Sequence, residues 1–321
     1  MSLATAYADA ARTIRGSVQV ALACHVNPDG DALGSMLAMH HVLRHHGIAS
    51  VASFSEPFQT APHYRELPGL ELLVPPSQFP AEPDVMVTFD CGSLRRLGDL
   101  EASARAARSL IVIDHHISND LFGSINVVDA TAAASGVVVR ELVRVLGFAL
   151  DQDAAVCLYA ALVCDTGRFQ YESTTPAVFD LARELIEFDV PISSLSRTLF
   201  EEHRFAYLQL LAEVLQRAVL VAEQRFVWTV VTQDDLVRHG VTLDEVEGLI
   251  DIVRRTREAE VTAVLKEDGD GSVRVSLRSL GDVDVCAIAQ SMGGGGHRFA
   301  AGFTASGPAA AVAEAIRAAL V

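Results

Sequence analysis

Four short stretches of this chain carry carboxylates, two of them joined by imidazoles, and each follows directly on an apolar run. The first is His25-Val-Asn-Pro-Asp29-Gly-Asp31, where Pro28 and Gly30 enforce an irregular turn able to bring one imidazole and two carboxylates together. The second is Asp90 in Phe-Asp-Cys-Gly, the third is Asp114-His115-His116 after Leu-Ile-Val-Ile, and the fourth is Asp165 in Asp-Thr-Gly-Arg-Phe. Taken singly, each has a plainer reading as a turn or a helix cap. Together they amount to five carboxylates and three imidazoles, which repel one another on converging unless cations are bound. Oxygen-rich donors with a minority of imidazole suit Mn2+ or Mg2+ better than a thiolate zinc site, and they are numerous enough for two ions sharing a carboxylate. Two such ions lower the pKa of a bridging water and clamp the oxygens of an in-line displacement at phosphorus. The chemistry implied is phosphoester hydrolysis.

Near the other end, the glycine run from Gly293 to Gly296, followed by His297 and Arg298, lets a backbone approach an anion closely with N–H groups and two donor side chains. It lacks the Gly-Lys-Ser/Thr of a P-loop, and a turn between elements is its plain alternative. Arg274, Ser276 and Arg278 alternate along one predicted strand, so they share a face opposite Val273, Val275 and Leu277. His40, His41, His45 and His46 near a predicted helix end read as surface residues, and Arg254, Arg255 and Arg257, interleaved with acids, as a solvated face. Lys266, the single lysine, reads as a composition bias.

The scaffold that positions these groups is legible in the hydrophobic pattern. Short apolar runs at 18–24, 49–54, 85–89 and 110–113 predict strands, alternating with helices predicted at 31–46, 132–146, 153–164 and 176–188. The alternation predicts an α/β fold with an open, mostly parallel sheet, whose strand carboxyl ends line a ligand crevice. Patterning loosens between Val190 and Glu202 before helical spacing resumes from Phe205. We assign 1–190 to a first domain, 191–210 to a linker and 211–321 to a smaller α+β domain. The latter is expected to hold a strand at 226–232, a helix opened by a Thr242/Glu245 capping box, and a hairpin of 260–266 with 273–279.

Composition narrows the function. With 321 residues and 50% hydrophobic content, the chain can build two cores. Its net charge of −16 disfavours long duplex nucleic acid, so any nucleic-acid substrate is expected to be short. The longest apolar stretch, 154–164, falls far short of the ~20 residues that cross a bilayer, and no leader pattern opens the chain, so we expect no membrane association and a cytoplasmic location. Five cysteines without a Cys-x-x-Cys predict neither disulfides nor structural zinc.

The motifs His-Val-Asn-Pro-Asp-Gly-Asp, Phe-Asp-Cys-Gly, Ile-Asp-His-His, Cys-Asp-Thr-Gly-Arg-Phe and Gly-Gly-Gly-Gly-His-Arg-Phe-Ala-Ala-Gly, in that order, resemble the DHH phosphoesterase family with its DHH-associated C-terminal domain. The resemblance spans residues 15–305. It is strongest to the compact bacterial bifunctional oligoribonucleases (nanoRNases) and 3′-phosphoadenosine 5′-phosphate (pAp) phosphatases, some of which also act on cyclic di-AMP and its linear product pApA. The resemblance implies one Mn2+ held by His25, Asp29 and Asp90, and a second held by Asp31, Asp90, His115 and Asp165, with Mg2+ as the alternative metal. It also implies that His116 stands beside the scissile phosphate as electrophile or proton donor and that Asp114 orients the histidine pair. Gly294, Gly295, Gly296 and His297, with Arg278 and Ser276, are implied to bind the substrate's terminal phosphate across an interdomain cleft, which limits the substrate to a few nucleotides. Implied substrates are short oligoribonucleotides, pAp, and cyclic di-AMP or pApA, and the implied assembly is a homodimer. A family II pyrophosphatase is disfavoured because its second domain carries a more basic signature. A catalytically silent nucleotide sensor is the alternative from another class, but its mark, a lost metal ligand, is missing.

Overall fold

The structure, a computed structural model, describes residues 2–320, and the chain divides into two units after Glu202. In the first, β1 (Gln19–Cys24), β2 (Ala49–Ser53), β3 (Val85–Phe89), β4 (Ser109–Asp114) and β5 (Ile125–Val128) form a wholly parallel sheet in the order β2-β1-β3-β4-β5. A parallel sheet is covered on both faces, and β3 accordingly reads Val-Met-Val-Thr-Phe with every residue buried. The four predicted strands are present. The edge strand β5, four residues containing an asparagine, carries too little pattern to be read from sequence.

Seven helices accompany the sheet: α1 (Leu3–Arg15), α2 (Gly30–His45), α3 (Glu101–Ala106), α4 (Ser135–Leu146), α5 (Gln152–Asp165), α6 (Pro176–Ile186) and α7 (Ile192–Phe200). Helices α2 and α5 are buried nearly all round and pack on one another. Their approach depends on Gly34, where a Cβ would come within 2.4 Å of the Cys157 carbonyl oxygen. That burial corrects one expectation. His40 is not a surface residue but 1% exposed, with Nδ1 2.8 Å from Ser50 Oγ, and burial together with the nearby Arg44 lowers its pKa to about 4. His41 is half-buried, and His45 is exposed beside Asp151.

The second unit is a mixed six-stranded sheet in the order β10-β11-β9-β8-β7-β6. Its elements are α8 (Phe205–Gln216), β6 (Val219–Val221), β7 (Phe226–Val231), α9 (Gln233–His239), α10 (Ile250–Val253), β8 (Val261–Glu267), β9 (Ser272–Ser279), α11 (Val285–Ser291), β10 (Gly295–His297), β11 (Ala300–Ser306) and α12 (Ala309–Ala318). Only β7 and β8 pair in parallel. Helices α11 and α12 cover one face, while residues of α8, α9 and α10 cover β7 and β8 on the other. The predicted β8–β9 hairpin is present. The predicted capping box is not a helix opening. Thr242 N–H does bond Glu245, 2.9 Å away, but the segment from Asp244 is a 3-10 turn, and the reciprocal box lies at Thr232 and Asp235, opening α9. Residues 191–210, read as a linker, hold α7 and the start of α8. Leu195 and Leu199 of α7 are buried in the first core, whereas Tyr207 and Leu210 of α8 belong to the second, so two cores claim this stretch and leave only 201–204 between helices.

Among the described residues no helix is long and apolar enough to cross a membrane, and all five cysteines are unpaired.

Asp235 gives the second unit a testable stability element. It caps α9 and accepts from Arg217 and Arg238. Burial raises its pKa, but the Arg217 bond and the Thr232 amide outweigh this and bring it from 3.8 to about 2. A depressed carboxylate stabilises the fold above its unfolded pKa and loses that contribution as pH falls through the folded value. Asp235→Asn is therefore expected to cost about 1–2 kcal/mol at neutral pH. Denaturant unfolding of both proteins should show the difference shrinking as pH falls from 3.8 to about 2.

Candidate active site

In a parallel sheet of order 2-1-3-4-5, the connections leave β1 and β3 in opposite directions and open a crevice at their carboxyl ends. His25 and Asp29 follow β1, Asp90 follows β3, and Asp114 ends β4 with His115 and His116 immediately after. Asp31 lies in the first turn of α2, for which Asp29 is the N-cap. Asp165 arrives on the last residue of α5.

The side chains converge in two groups. His25 Nε2 stands 3.5 Å from Asp90 Oδ2 and 3.8 Å from Asp29 Oδ2. His115 Nε2 stands 3.1 Å from Asp165 Oδ2, 3.6 Å from Asp90 Oδ1 and 3.8 Å from Asp31 Oδ2. Asp90 thus turns one oxygen to each group. Its backbone is held in the left-handed region at φ 55°, as is Asn27 at φ 50°, local strain of the kind that accumulates at functional sites.

The imidazoles are oriented by partners that can only accept. His25 Nδ1 lies 2.8 Å from the Val26 carbonyl and His115 Nδ1 lies 3.2 Å from that of Ala132, so in each ring Nδ1 carries a hydrogen and Nε2 faces the cluster, the atom through which the ring gains or loses its second proton. Asp114, fully buried, accepts on Oδ1 from the amides of His115 (2.8 Å) and His116 (3.3 Å) and from His116 Nδ1 (2.7 Å). Its Oδ2 accepts from Asn119 Nδ2 at 2.5 Å. A proton leaving or joining His116 therefore moves through Nε2.

Sequence reasoning missed four supporting residues. Asp31 receives Ser35 Oγ at 3.0 Å and, at the N-terminus of α4, the amides of Ser135 at 2.6 Å and Gly136 at 3.0 Å. Ser135 Oγ also donates to Asp90 Oδ1 at 2.9 Å. Asn119 locks Asp114, and its Nδ2 also reaches the Cys91 carbonyl at 3.1 Å. The signal that could have found them is Ser-Gly opening a helical pattern, and an asparagine close behind Asp-His-His.

Electrostatics shows what the cluster wants. Burial, reinforced by Asp90 and Asp165, pushes the Asp31 carboxyl well up, and burial also raises Asp165. Burial disfavours charged His115, but its bond to Asp165 and the other carboxylates prevail and raise it to about 11. His25 and His116 rise for the same kind of reason, against burial, through Asp90 and Asp114. Asp90 falls, since the His25 bond and the flanking imidazoles overcome its burial. Each rise is set by carboxylates crowded together away from water. Donors about 2.1 Å from a shared octahedral ion lie about 3 Å apart as neighbours and about 4.2 Å apart across it. The groups His25/Asp29/Asp90 and Asp31/Asp90/His115 keep their ligand atoms within 4.8 Å of one another, so the donor set fits two hard divalent ions.

In the second unit, register sorts the remaining residues. Ser276, Gly302 and Gly295 form one row across β9, β11 and β10, and Arg278, Ala300 and His297 form the next. Residues directly opposite one another share a face, so two glycines beside Ser276 leave a recess bordered by Arg278 and His297. The second half of the glycine run, Gly295 and Gly296, lies in the edge strand β10, while Gly293 belongs to the turn after α11. A Cβ at Gly294 would meet the Gly302 carbonyl oxygen at 2.1 Å and one at Gly296 the Ala300 carbonyl oxygen at 2.5 Å, whereas at Gly295 it would meet nothing within 4 Å. Gly294 and Gly296 thus serve hairpin packing, and Gly295 the open face. Arg298 is turned to the Asp282 carbonyl, 3.2 Å away. Lys266, read as composition bias, is 2% exposed beside this face, its ammonium bonded to Glu247 and 3.1 Å from Ser276 Oγ.

A parallel α/β unit with a shared carboxylate between two donor groups, followed by a mixed-sheet unit with a basic face, defines a two-domain phosphoesterase. Residues 19–162 match the family model described as DHH family, N-terminal domain, and residues 223–320 match that of the DHHA1 domain, so the chain carries both domains. It is 29% identical over 303 residues to the bifunctional oligoribonuclease and PAP phosphatase NrnA of Thermus thermophilus, covering 94% of this chain and 87% of that protein. The protein of the same name from Bacillus subtilis is 28% identical over 296 residues, covering 91% and 90%. An exopolyphosphatase-related protein from Bacteroides fragilis has the same fold, with a TM-score of 0.90 at 22% identity over 98% of this chain and 96% of that one. RecJ from Thermus thermophilus, solved with Mn2+, has a TM-score of 0.55 at 15% identity over 99% of this chain and 54% of that one, a likeness of fold.

Because the surrounding carboxylates raise the pKa values of His25 and His115, metal uptake here should release protons. Titrating Mn2+ into weakly buffered protein is expected to acidify the solution, with apparent affinity rising as pH rises, by up to about tenfold per unit for each proton displaced. An affinity independent of pH near neutrality would contradict the raised histidine pKa values.

Proposed function

We propose that this protein is a Mn2+-dependent phosphoesterase that hydrolyses short oligoribonucleotides to mononucleotides and pAp to AMP. The observation that carries this reading is Asp90, which offers one oxygen to the His25 group and the other to the His115 group. His25, Asp29 and Asp90 would hold one ion, and Asp31, Asp90, His115 and Asp165 the other, with Mg2+ an acceptable substitute because it shares the ligand types. Such a pair supplies Lewis acidity at phosphorus and a nucleophile at neutral pH. The chain's own residues do the rest. His116, held through Nδ1 by Asp114, gives a proton from Nε2 to the departing oxygen. Ser135 and the α4 N-terminus keep Asp90 and Asp31 aimed. Arg278, Ser276, His297 and the open backbone at Gly295 bind the substrate's other phosphate, and this requirement for a second phosphate favours pAp and 5′-phosphorylated oligonucleotides. The curated relatives named as oligoribonuclease and PAP phosphatase support the same substrates. The full ligand set argues against a silent sensor.

Chromatography of products from pApA, pAp, cyclic di-AMP and pyrophosphate, each with Mn2+, tests the reading. AMP is expected from pApA and pAp, with no phosphate from pyrophosphate. Cyclic di-AMP turned over faster than pAp would move the assignment to cyclic dinucleotides, and silence on all four with metal bound would favour the sensor. Asp90→Ala is expected to lower kcat at least about a thousandfold, because both ions lose a ligand. Gly295→Ala, whose methyl meets no protein atom within 4 Å, should raise KM several-fold and leave kcat near wild type.

A further inference from the structure

The chain's one lysine sits where a lysine is costly. Lys266 is 2% exposed on β8, and its burial lowers its pKa. An apolar residue would fill the position without burying a charge. Its ammonium bonds the carboxylate of Glu247, from the 3-10 turn Asp244–Leu249, and lies 3.1 Å from Ser276 Oγ. The roles in that second bond are fixed by chemistry: an ammonium only donates, so the serine oxygen accepts. The single Ser276 proton must therefore point elsewhere. Along its row the neighbours are Val264 on β8, and Gly302 and Gly295 beyond it, none of which carries a side-chain acceptor. That leaves the proton able to turn to the recess that the two glycines open between Arg278 and His297.

We propose that Lys266 is a positioning residue of this face: by donating to Ser276 Oγ it sets the serine hydroxyl as a hydrogen-bond donor to a phosphate oxygen of the substrate. This rests on the reading that Ser276, Arg278 and His297 bind substrate phosphate. Lys266 itself does not touch the ligand, being covered, and Glu247 holds its ammonium in place. The plainer role, an ion pair tying the turn at Glu247 to the sheet, makes no demand on Ser276 and gives the test its contrast.

The test is steady-state kinetics of the full chain with Mn2+ and pApA for Lys266→Met, Ser276→Ala and the double variant, with thermal unfolding of each. Lys266→Met is expected to raise KM about tenfold with kcat within about twofold of wild type. Ser276→Ala should do the same, and the double variant should be no worse than the worse single, because both remove one interaction. Hydrolysis of ApA, which lacks the 5′-phosphate, should respond to neither. Should Lys266→Met fail to fold, Lys266→Met with Glu247→Leu replaces the ion pair by apolar groups, an exchange proteins tolerate, and the same rise in KM is expected. A KM unchanged in the lysine variants while Ser276→Ala raises it would overturn the positioning role alone. Penalties that multiply in the double variant would also overturn it, leaving a charge effect independent of the serine. If Ser276→Ala and Arg278→Ala both leave KM unchanged, the phosphate-binding reading of the face fails instead.

Discussion

Asp90 stands between His25 and His115, 3.5 and 3.6 Å from their Nε2 atoms, at the end of the strand beside the point where the sheet's connections diverge. A carboxylate in that place must be shared, and sharing it gathers further carboxylates that repel it. The rest of the first unit follows from this conflict. Histidines interleave with aspartates, the amides opening α4 face Asp31, and Ser35 and Ser135 fill remaining acceptor positions. Each device lowers the cost of burying negative charge, yet burial and the neighbouring Asp90 and Asp165 still push the Asp31 carboxyl well up. What remains uncompensated is a demand for cations.

The same constraint explains the packing around the cluster. Gly30, Gly34 and Gly136 keep α2, α4 and α5 close enough to serve one centre; a Cβ at Gly136 would come within 2.8 Å of Ala161 Cβ. Helix α5 is apolar on all sides, which lets it run through the interior and present Asp165 at its last residue beside His115. Asp31 and Asp165 are carried on buried helices, whereas His25, Asp29, Asp90, His115 and His116 lie directly after strand ends, where hydrogen bonds to neighbouring backbone and side chains hold them.

The second unit meets a different electrostatic problem on a sheet face. The anion proposed to bind there needs donors that converge without filling the space it would occupy. Alternation along β9 supplies Arg274, Ser276 and Arg278, and the glycines opposite Ser276 keep the surface low beside them. Arg274 is committed to Asp268, and Arg298 to the Asp282 carbonyl, so the donors left to the recess are fewer than the count of basic residues suggests.

How much of this was legible in the sequence depends on the range of the interaction. Strands β1 to β4, the helices α2, α4, α5 and α6, and the ordered His and Asp motifs are local signals, set by hydrophobic period and by turn residues, and the side chains of His25, Asp29, Asp31, Asp90, His115 and Asp165 lie close together. The alternation of β9 was equally local. Ser135 and Gly136, however, meet Asp31 across about a hundred residues, and no periodicity encodes that meeting. His40 looked like surface because it was read with His41, His45 and His46 near a helix end with no flanking carboxylate, but α2 is enclosed by elements far along the chain. Lys266 gave no signal alone, since its meaning lies in a serine on the neighbouring strand. Gly294, Gly295 and Gly296 were indistinguishable until pairing with β11 gave each a different neighbour. Sequence by itself determined the chemistry available and the scaffold class, because both follow from residue type and local pattern. The tertiary structure decided which groups are shared, which are buried and which support rather than bind, because those depend on contacts that only packing creates.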